Sequence, residues 1–366
     1  MAVTNFAALT TEQKTVWSKD VWSAAREKRF ISKFTGTGED NVIQRITELT
    51  KTEKGEKALM FLVADLVGDG VVGDNEREGN EEALQAYDQE ITIDMISQQT
   101  KNKGKMADQK TCIKFREQSK DKLAYWLADR QDQLAFLTMS GISYAYKNNG
   151  AARTNSQFPN LAFASDVSAP TTNRHVNWNG TALVAGDTST IAATYLPTYK
   201  MLVQLGTFAR DHYIKPIMAG GKEYYVLFVR PGTMAQLKTD TSYLQAITNA
   251  MPRGKENPFF TGGVTTVDGL VIHETRYVYS TVGTTTKWGS GSAINGTRTL
   301  LCGSQALGMC DLGAPDWVEK GFDYDSKQGI SIDKMLGFLK PKYHSIYDGT
   351  VEDFGIVACD HYLPFV

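Results

Sequence analysis

"LMFLVADLVGDGVVGDNEREGN", residues 59–80, admits two readings that lead to different folds. Gly68, Gly70 and Gly73 spell G-x-G-x-x-G directly after an apolar run with strand character, the first half of a dinucleotide-binding fingerprint. A helix starting at these glycines makes a nucleotide-binding α/β unit; a turn makes the tip of a β-hairpin. The residues that follow decide between them. A pyrophosphate site needs helix N-terminal N–H groups and a helix able to pack on its sheet. Residues 74–82, "DNEREGNEE", carry no apolar side chain and are interrupted by Gly79. Six acids (Asp69, Asp74, Glu76, Glu78, Glu81, Glu82) against Arg77 leave a local charge near −5 where two phosphates would sit. Repulsion of ~1–4 kcal/mol per pair at ~4 Å opposes such binding. The stretch reads as a glycine-rich hairpin tip. An EF-hand fails as well, because the third and fifth positions counted from Asp69 are Val71 and Gly73. A solvated, charged tip is the default, with an irregular cation site as the alternative.

The chain of 366 residues has room for two or three domains, or for one with long elaborations. Hydrophobic residues at 42% and charged residues at 22% give an ordinary globular profile. With 39 basic and 41 acidic residues the net charge is −2, so any DNA contact is expected to be local and weak. No apolar run approaches the ~20 residues that cross a bilayer, so no membrane partner is expected. The opening residues lack the basic and apolar regions of a signal peptide. Cys112, Cys302, Cys310 and Cys359 show no C-x-x-C spacing, which fits a reduced, intracellular site of synthesis.

Along the chain, a capping-box spacing from Thr10 to Gln13 precedes a helix with Trp17, Val21 and Ala24 on one face and Trp22 beside it. Residues 41–67 read as two β segments joined by a charged turn at 51–55, and Ile43, Ile46 and Leu49 also fit a helical period. In "ITIDM", Ile91, Ile93 and Met95 alternate with Thr92 and Asp94, which predicts a strand with one apolar face. The longest helix is expected over 107–140, with Leu123, Trp126, Leu127, Leu134 and Leu137 as its stripe and Ser140-Gly141 as its end. Residues 148–193 suggest a long ordered loop or an inserted hairpin. A helix follows Pro197, "KEYYVLFVR" is a buried strand, Pro231 opens a short helix, and the remainder is mostly strand. The pattern is α+β, without regular βαβ alternation.

Chemistry is sparse. Cys359 and His361 lie two apart on a predicted strand and share a face, but no oxyanion-hole motif accompanies them, so a structural pair is the better reading. His273-Glu274 lacks the second histidine of H-E-x-x-H. No enzyme activity, cofactor or metal is expected. The hairpin is the informative feature. Its arms, about ten residues each within 57–97, would extend ~30 Å. Residues 59–63 are apolar at consecutive positions, so both faces of that arm ask for cover. An isolated ribbon is marginal in water. Docking on another chain is one answer and packing on its own domain is the other. Long arm, long helix and Trp-bearing N-terminal extension together suggest an assembly protein. A nucleotide-binding oxidoreductase and a self-contained binding module are the competing classes.

Several segments carry a resemblance. "VIQRITELTKTEKG" (42–55), "LVADLVGDGVVGDNEREGNEEALQAYDQ" (62–89), "MADQKT" (106–111), "FREQSKDKLAYWLADRQDQLAFLTMSG" (115–141) and "FASDVSAPTTNRHVNW" (163–178) resemble the major capsid proteins of tailed bacteriophages related to the N-four-like podoviruses. The likeness is densest over residues 8–178 and runs more thinly to "DFGIVACDHYL" (353–363). It implies the HK-97-type capsid fold. The implied division is an N-terminal arm at 1–42, an extended β-hairpin loop at 43–98, and a peripheral domain at 99–194 with a spine helix at 107–140. An axial domain at 195–315 and returning peripheral strands at 316–366 complete it. It further implies hexamers and pentamers of an icosahedral head around double-stranded DNA, assembled in the bacterial host cytoplasm and found in the virion. Portal, scaffolding or cement proteins would be further partners. The expected subunit-interface residues are Trp17, Val21 and Trp22 of the arm, Leu59, Phe61, Val63, Ile91 and Ile93 of the hairpin, and Asp69, Asp74, Glu76 and Glu78 of its tip.

Overall fold

The computed structural model describes residues 29–47, 55, 57–63, 66, 69–82, 86–106, 110, 115–250, 265–345 and 349–365. The expected helix with Trp17, Val21 and Trp22 lies outside them, as do Gly68 and most of 107–114.

Among the described residues, two large sheets share one long helix, α1 (Phe115–Ser140). Over 26 residues it runs ~39 Å. Leu123, Leu127, Leu134 and Leu137 are buried as the stripe predicts, and Trp126 is half-buried. From Leu134 to Ser140 every side chain is buried, so this half of α1 is enclosed on all sides. Gly141 ends it in a left-handed conformation, φ +66°. The Ile142 N–H reaches the Leu137 carbonyl at 3.0 Å and the Gly141 N–H that of Thr138 at 3.1 Å, the double bond of a Schellman turn.

The first sheet runs β1 (Thr35–Gly36), β2 (Ile43–Ile46), β13 (Leu307–Asp311), β15 (Lys327–Leu339), β14 (Asp316–Phe322), with β5 (Asp94–Lys101) also paired to β15. Ile330, Ile332, Leu336 and Phe338 of β15 point to α1. The opposite face is covered at one end by a hairpin of β3 (Lys57–Val63) and β4 (Ala86–Thr92). Two glycines make that approach possible: a Cβ on Gly337 would lie 2.3 Å from the Thr92 carbonyl oxygen, and one on Gly308 2.8 Å from the Met60 sulfur. Beside it, β16 (Lys342–His344) pairs with β17 (Val351–Asp353).

The second sheet runs β10 (Thr265–Val267), β11 (Leu270–Glu274), β9 (Lys222–Val229), β12 (Gly296–Cys302), β18 (Ile356–Tyr362), β6 (His175–Trp178), β7 (Leu183–Ala185), with β8 (Ile217–Ala219) on β9. Its centre is apolar on both faces, as a doubly covered sheet requires. Val226, Phe228, Leu300, Cys302, Ile356 and Ala358 face the core of α1. Tyr225, Leu227, Val229, Leu301, Val357 and Cys359 face α2 (Tyr199–Asp211), α3 (Pro231–Thr239) and α4 (Thr241–Ala250).

Two features of the sheets do not follow from chain order. The division at 195 and 315 cuts across the sheets: β6, β7 and the C-terminal β18 belong to the second sheet, whereas β13 belongs to the first. Partner choice is a matter of long-range register, which chain order does not carry. Likewise Ile91, Ile93 and Met95 do not share one buried face. Strand pairing breaks between β4 and β5, so Ile91 and Ile96 are buried, Ile93 is half-buried and Met95 is exposed, paired with the exposed Met335.

Candidate assembly surfaces

The β3–β4 ladder pairs Lys57 with Thr92 at its base and Val63 with Ala86 at its far end. Its seven residues per strand reach ~23 Å. Its inner face is closed by the chain's own body. Ala58, Met60, Leu62 and Ile91 form one apolar cluster with Ile46 and Cys310, with Ile93, Leu339 and Phe354 packed around it. Ile91, wholly buried, has no surface left for a neighbour, which corrects its place among the interface residues; Ile93 is partly spent in the same way. The Gln89 side chain accepts from the Lys342 N–H at 3.0 Å and donates to the Lys342 carbonyl, tying the hairpin to β16. The outer face is different. Leu59 is 40% exposed and Phe61 48%, two large apolar side chains side by side on a strand whose other face is satisfied.

Beyond the ladder, Asp69, Asp74, Glu76 and Glu78 are all exposed. Gly70 and Gly73 adopt φ of +69° and +71°, the left-handed region open to glycine. Residues 74–82 form turns: Asn75 Nδ2 donates to the Val72 carbonyl at 2.7 Å, and Asn80 Nδ2 to that of Glu76 at 2.9 Å. Gly70 and Gly73 therefore take the backbone conformation that favours glycine, and among the described residues the helix that a pyrophosphate requires does not follow them.

The root of the N-terminal segment is pinned to α1. Asp132 accepts the N–H groups of Phe30 at 2.8 Å and Ile31 at 3.1 Å, and Arg29 donates to Gln131 at 2.6 Å. Burial pushes the Asp132 carboxyl up to about 6, partly opposed by those two N–H groups. Phe34 meets Phe228 edge-on at 4.9 Å, so the segment bridges α1 and the second sheet.

Buried ion pairs join distant parts of the chain. Arg298 holds Asp360 through two bonds of 2.8 Å and donates to the Ser140 carbonyl at 2.7 Å, placing a cation at the negative end of α1. Burial alone would raise the Asp360 carboxyl, but Arg298 and His175 together keep it below its ordinary value. Arg174 pairs with Glu352 at 2.9 Å and Lys340 with Asp353 at 2.7 Å, all fully buried, locking 171–175 to the C-terminal strands. No local pattern marks these pairs, whose partners lie 13 to 178 positions apart; burial selects them, and burial is tertiary.

Cys359 and His361 prove to be core residues. Burial pushes the Cys359 thiol far above its ordinary range, which keeps it protonated and non-nucleophilic. His361 is held neutral, its Nδ1 donating to the Tyr362 carbonyl and its Nε2 accepting from Thr299, both at 2.8 Å; burial lowers it to about 4.

An α+β body with a hairpin laid on one sheet, a long helix between two sheets and an N-terminal segment crossing both is the architecture of HK-97-type capsid subunits. The capsid of Ralstonia phage GP4 superposes with a TM-score of 0.74 at 23% identity, covering 99% of this chain and 98% of that one. The capsid of cyanophage Pam1 gives 0.71 at 18%, covering 100% and 97%. The capsid of Helicobacter pylori bacteriophage KHP30 gives 0.64 at 14%, covering 99% and 94%. A family model described as phage capsid protein matches residues 5–365. The major capsid protein of Pseudomonas phage KPP25 is 52% identical over 361 residues, 97% of this chain and 96% of that protein. The chain belongs to the phage capsid protein family.

Proposed function

We propose that copies of this chain close into hexamers and pentamers of an icosahedral phage head that encloses double-stranded DNA, and that each hairpin lies over a neighbouring copy through Leu59 and Phe61. One observation carries the reading: the inner face of the hairpin is satisfied by its own chain, while the outer face presents two exposed large apolar side chains. Different patches on one subunit suit heterologous contacts, which close into rings. The six-stranded sheet with α1 is the peripheral domain in this reading and the eight-stranded sheet with α2–α4 the axial domain. Residues 1–42, with Trp17, Val21 and Trp22, are the arm that crosses to a neighbour. Val63 and the acidic tip belong to the hairpin's contact region.

The role is structural rather than catalytic. Portal protein and any scaffolding or cement proteins are partners of the assembled shell, which forms in the host cytoplasm and persists in the virion. Placement beside the N-four-like podoviruses rests on the sequence segments that resemble them. The test is the full chain expressed alone and imaged by negative-stain electron microscopy after size exclusion, beside Phe61→Asp. Wild-type chain is expected to give shells, tubes or capsomer rings, and Phe61→Asp folded, soluble, unassembled protein. Intact shells from Phe61→Asp would remove this segment from the interface.

A further inference from the structure

The six-stranded sheet ends in a cluster of lysines. Asn102 donates its N–H to the Gln328 carbonyl at 2.9 Å and accepts that of Gln328 on its side chain at 2.7 Å. The Lys105 N–H reaches the Ser326 carbonyl at 3.1 Å. These bonds hold the segment of Lys101, Lys103 and Lys105 against the end of the β14–β15 hairpin, where Lys320 of β14 and Lys101 flank Gly329 and Lys327 of β15 pairs with Asp323 at 3.0 Å. The ammonium groups of Lys101 and Lys320 lie 4.2 and 5.3 Å from the centre of the same Phe322 ring. Against five lysines stand Asp323 and Asp325, so the end carries a charge near +3. The turn itself is unusual. Asp323, Tyr324 and Asp325 follow one another at φ of +57°, +50° and +60°, a region that residues with side chains rarely occupy, and Tyr324 stands wholly exposed at its apex.

Residues 69–82 carry the opposite sign, near −5, and are nearly all exposed. The chain leaves this acidic tip at Ala86 and travels through β4 and β5 to reach the lysine end at Lys101. Gln89 of β4 is bound to Lys342, beyond the C-terminal end of β15, whereas Lys101 pairs with Gly329 near its N-terminal end, so the hairpin and the lysines sit at opposite ends of that strand. Two copies arranged head to tail bring the acidic tip of one to the lysine end of the other.

We infer that the acidic tip of one copy docks on the lysine end of a neighbouring copy, formed by Lys101 and Lys320 at Phe322 with Lys103 and Lys105 next to them in the chain. The inference rests on the shell-building reading above and names the partner of the hairpin tip within it. Charge complementarity fixes register and rejects head-to-head pairs, where like charges would meet. It also gives assembly a salt dependence, because both surfaces are solvated.

The test is charge exchange in the full chain, expressed with the other head genes of its phage. Lys101→Glu/Lys103→Glu/Lys105→Glu and Asp74→Lys/Glu76→Lys/Glu78→Lys are each expected to lower the yield of closed shells by about tenfold or more. Both sets in one chain are expected to recover most of it. A lysine variant that builds shells as wild type does overturns the inference. So does one that builds shells but packages less DNA, which would assign the lysines to phosphate contact, and so does failure of the combined chain to recover. Wild-type chain that forms no shells under the same conditions would instead remove the shell-building reading. Carbodiimide coupling of wild-type shells reads the contact without mutation: peptides from 69–82 are expected joined to Lys101, Lys103 or Lys105, and coupling elsewhere but not there overturns the inference.

Discussion

Two buried groups in this subunit answer pH in opposite directions, and single substitutions separate them. His361, lowered from 6.5 to about 4, binds fewer protons folded than unfolded between those values. Its contribution is complete above pH 6.5 and is lost as pH falls. Going from pH 7 to 5 costs about 2 kcal/mol by linkage. Asp132, raised from 3.8 to about 6, binds more protons folded than unfolded in that window. Its contribution is complete below 3.8 and is lost as pH rises through 6, so the same acidification returns about 1 kcal/mol. The wild-type subunit is expected to show only the difference, a loss of about 0.5 kcal/mol from these two groups. Asp132→Asn keeps an acceptor toward Phe30 and Ile31 but leaves His361 unopposed, so its loss grows to about 2 kcal/mol. His361→Gln leaves Asp132 alone, and that chain gains about 1 kcal/mol on acidification. The assay is denaturant unfolding of the unassembled subunit at pH 7 and pH 5, followed by the fluorescence of its six tryptophans. His273, also lowered chiefly by burial, is present in all three chains and cancels between them. Equal pH slopes in the three chains would refute the reasoning, because they would place both groups in a solvent-like environment.

Two further outcomes test the core. Arg298→Met leaves the Asp360 carboxylate and the Ser140 carbonyl without their cation, and is expected to cost about 3–5 kcal/mol in thermal or chemical unfolding. Adding Asp360→Leu should return most of that loss, and no recovery would mean Arg298 acts through packing rather than charge. Gly337→Ala drives a methyl group against the Thr92 carbonyl and should destabilise the subunit by about 1–3 kcal/mol, with the hairpin loosened in hydrogen exchange. Gly291→Ala, where nothing lies within 4 Å, is the control expected to be nearly neutral.

Local chemistry was legible in the chain itself. The apolar stripe from Leu123 to Leu137 and Gly141 after it defined α1 and its end, because helical period and a left-handed cap are properties of neighbouring residues. The acidic, apolar-free run after Gly73 settled the glycine motif as a turn, because charge and side-chain size are written in the sequence. The segments that resemble phage capsid proteins carried the family.

Tertiary structure alone decided which surfaces remain available. Residues 59–63 read as apolar on both faces, and only the approach of β3 and β4 over Gly308 and Gly337 showed that one face is taken by the chain's own sheet and the other left open. The same holds for Ile91, which matches Phe61 in apolar character yet differs from it completely in exposure. The C-terminal β18 entered the centre of the second sheet, and Arg298 found Asp360 across 62 positions, through contacts no local pattern encodes. Burial depends on what the rest of the chain places above a residue, and so it belongs to the folded whole.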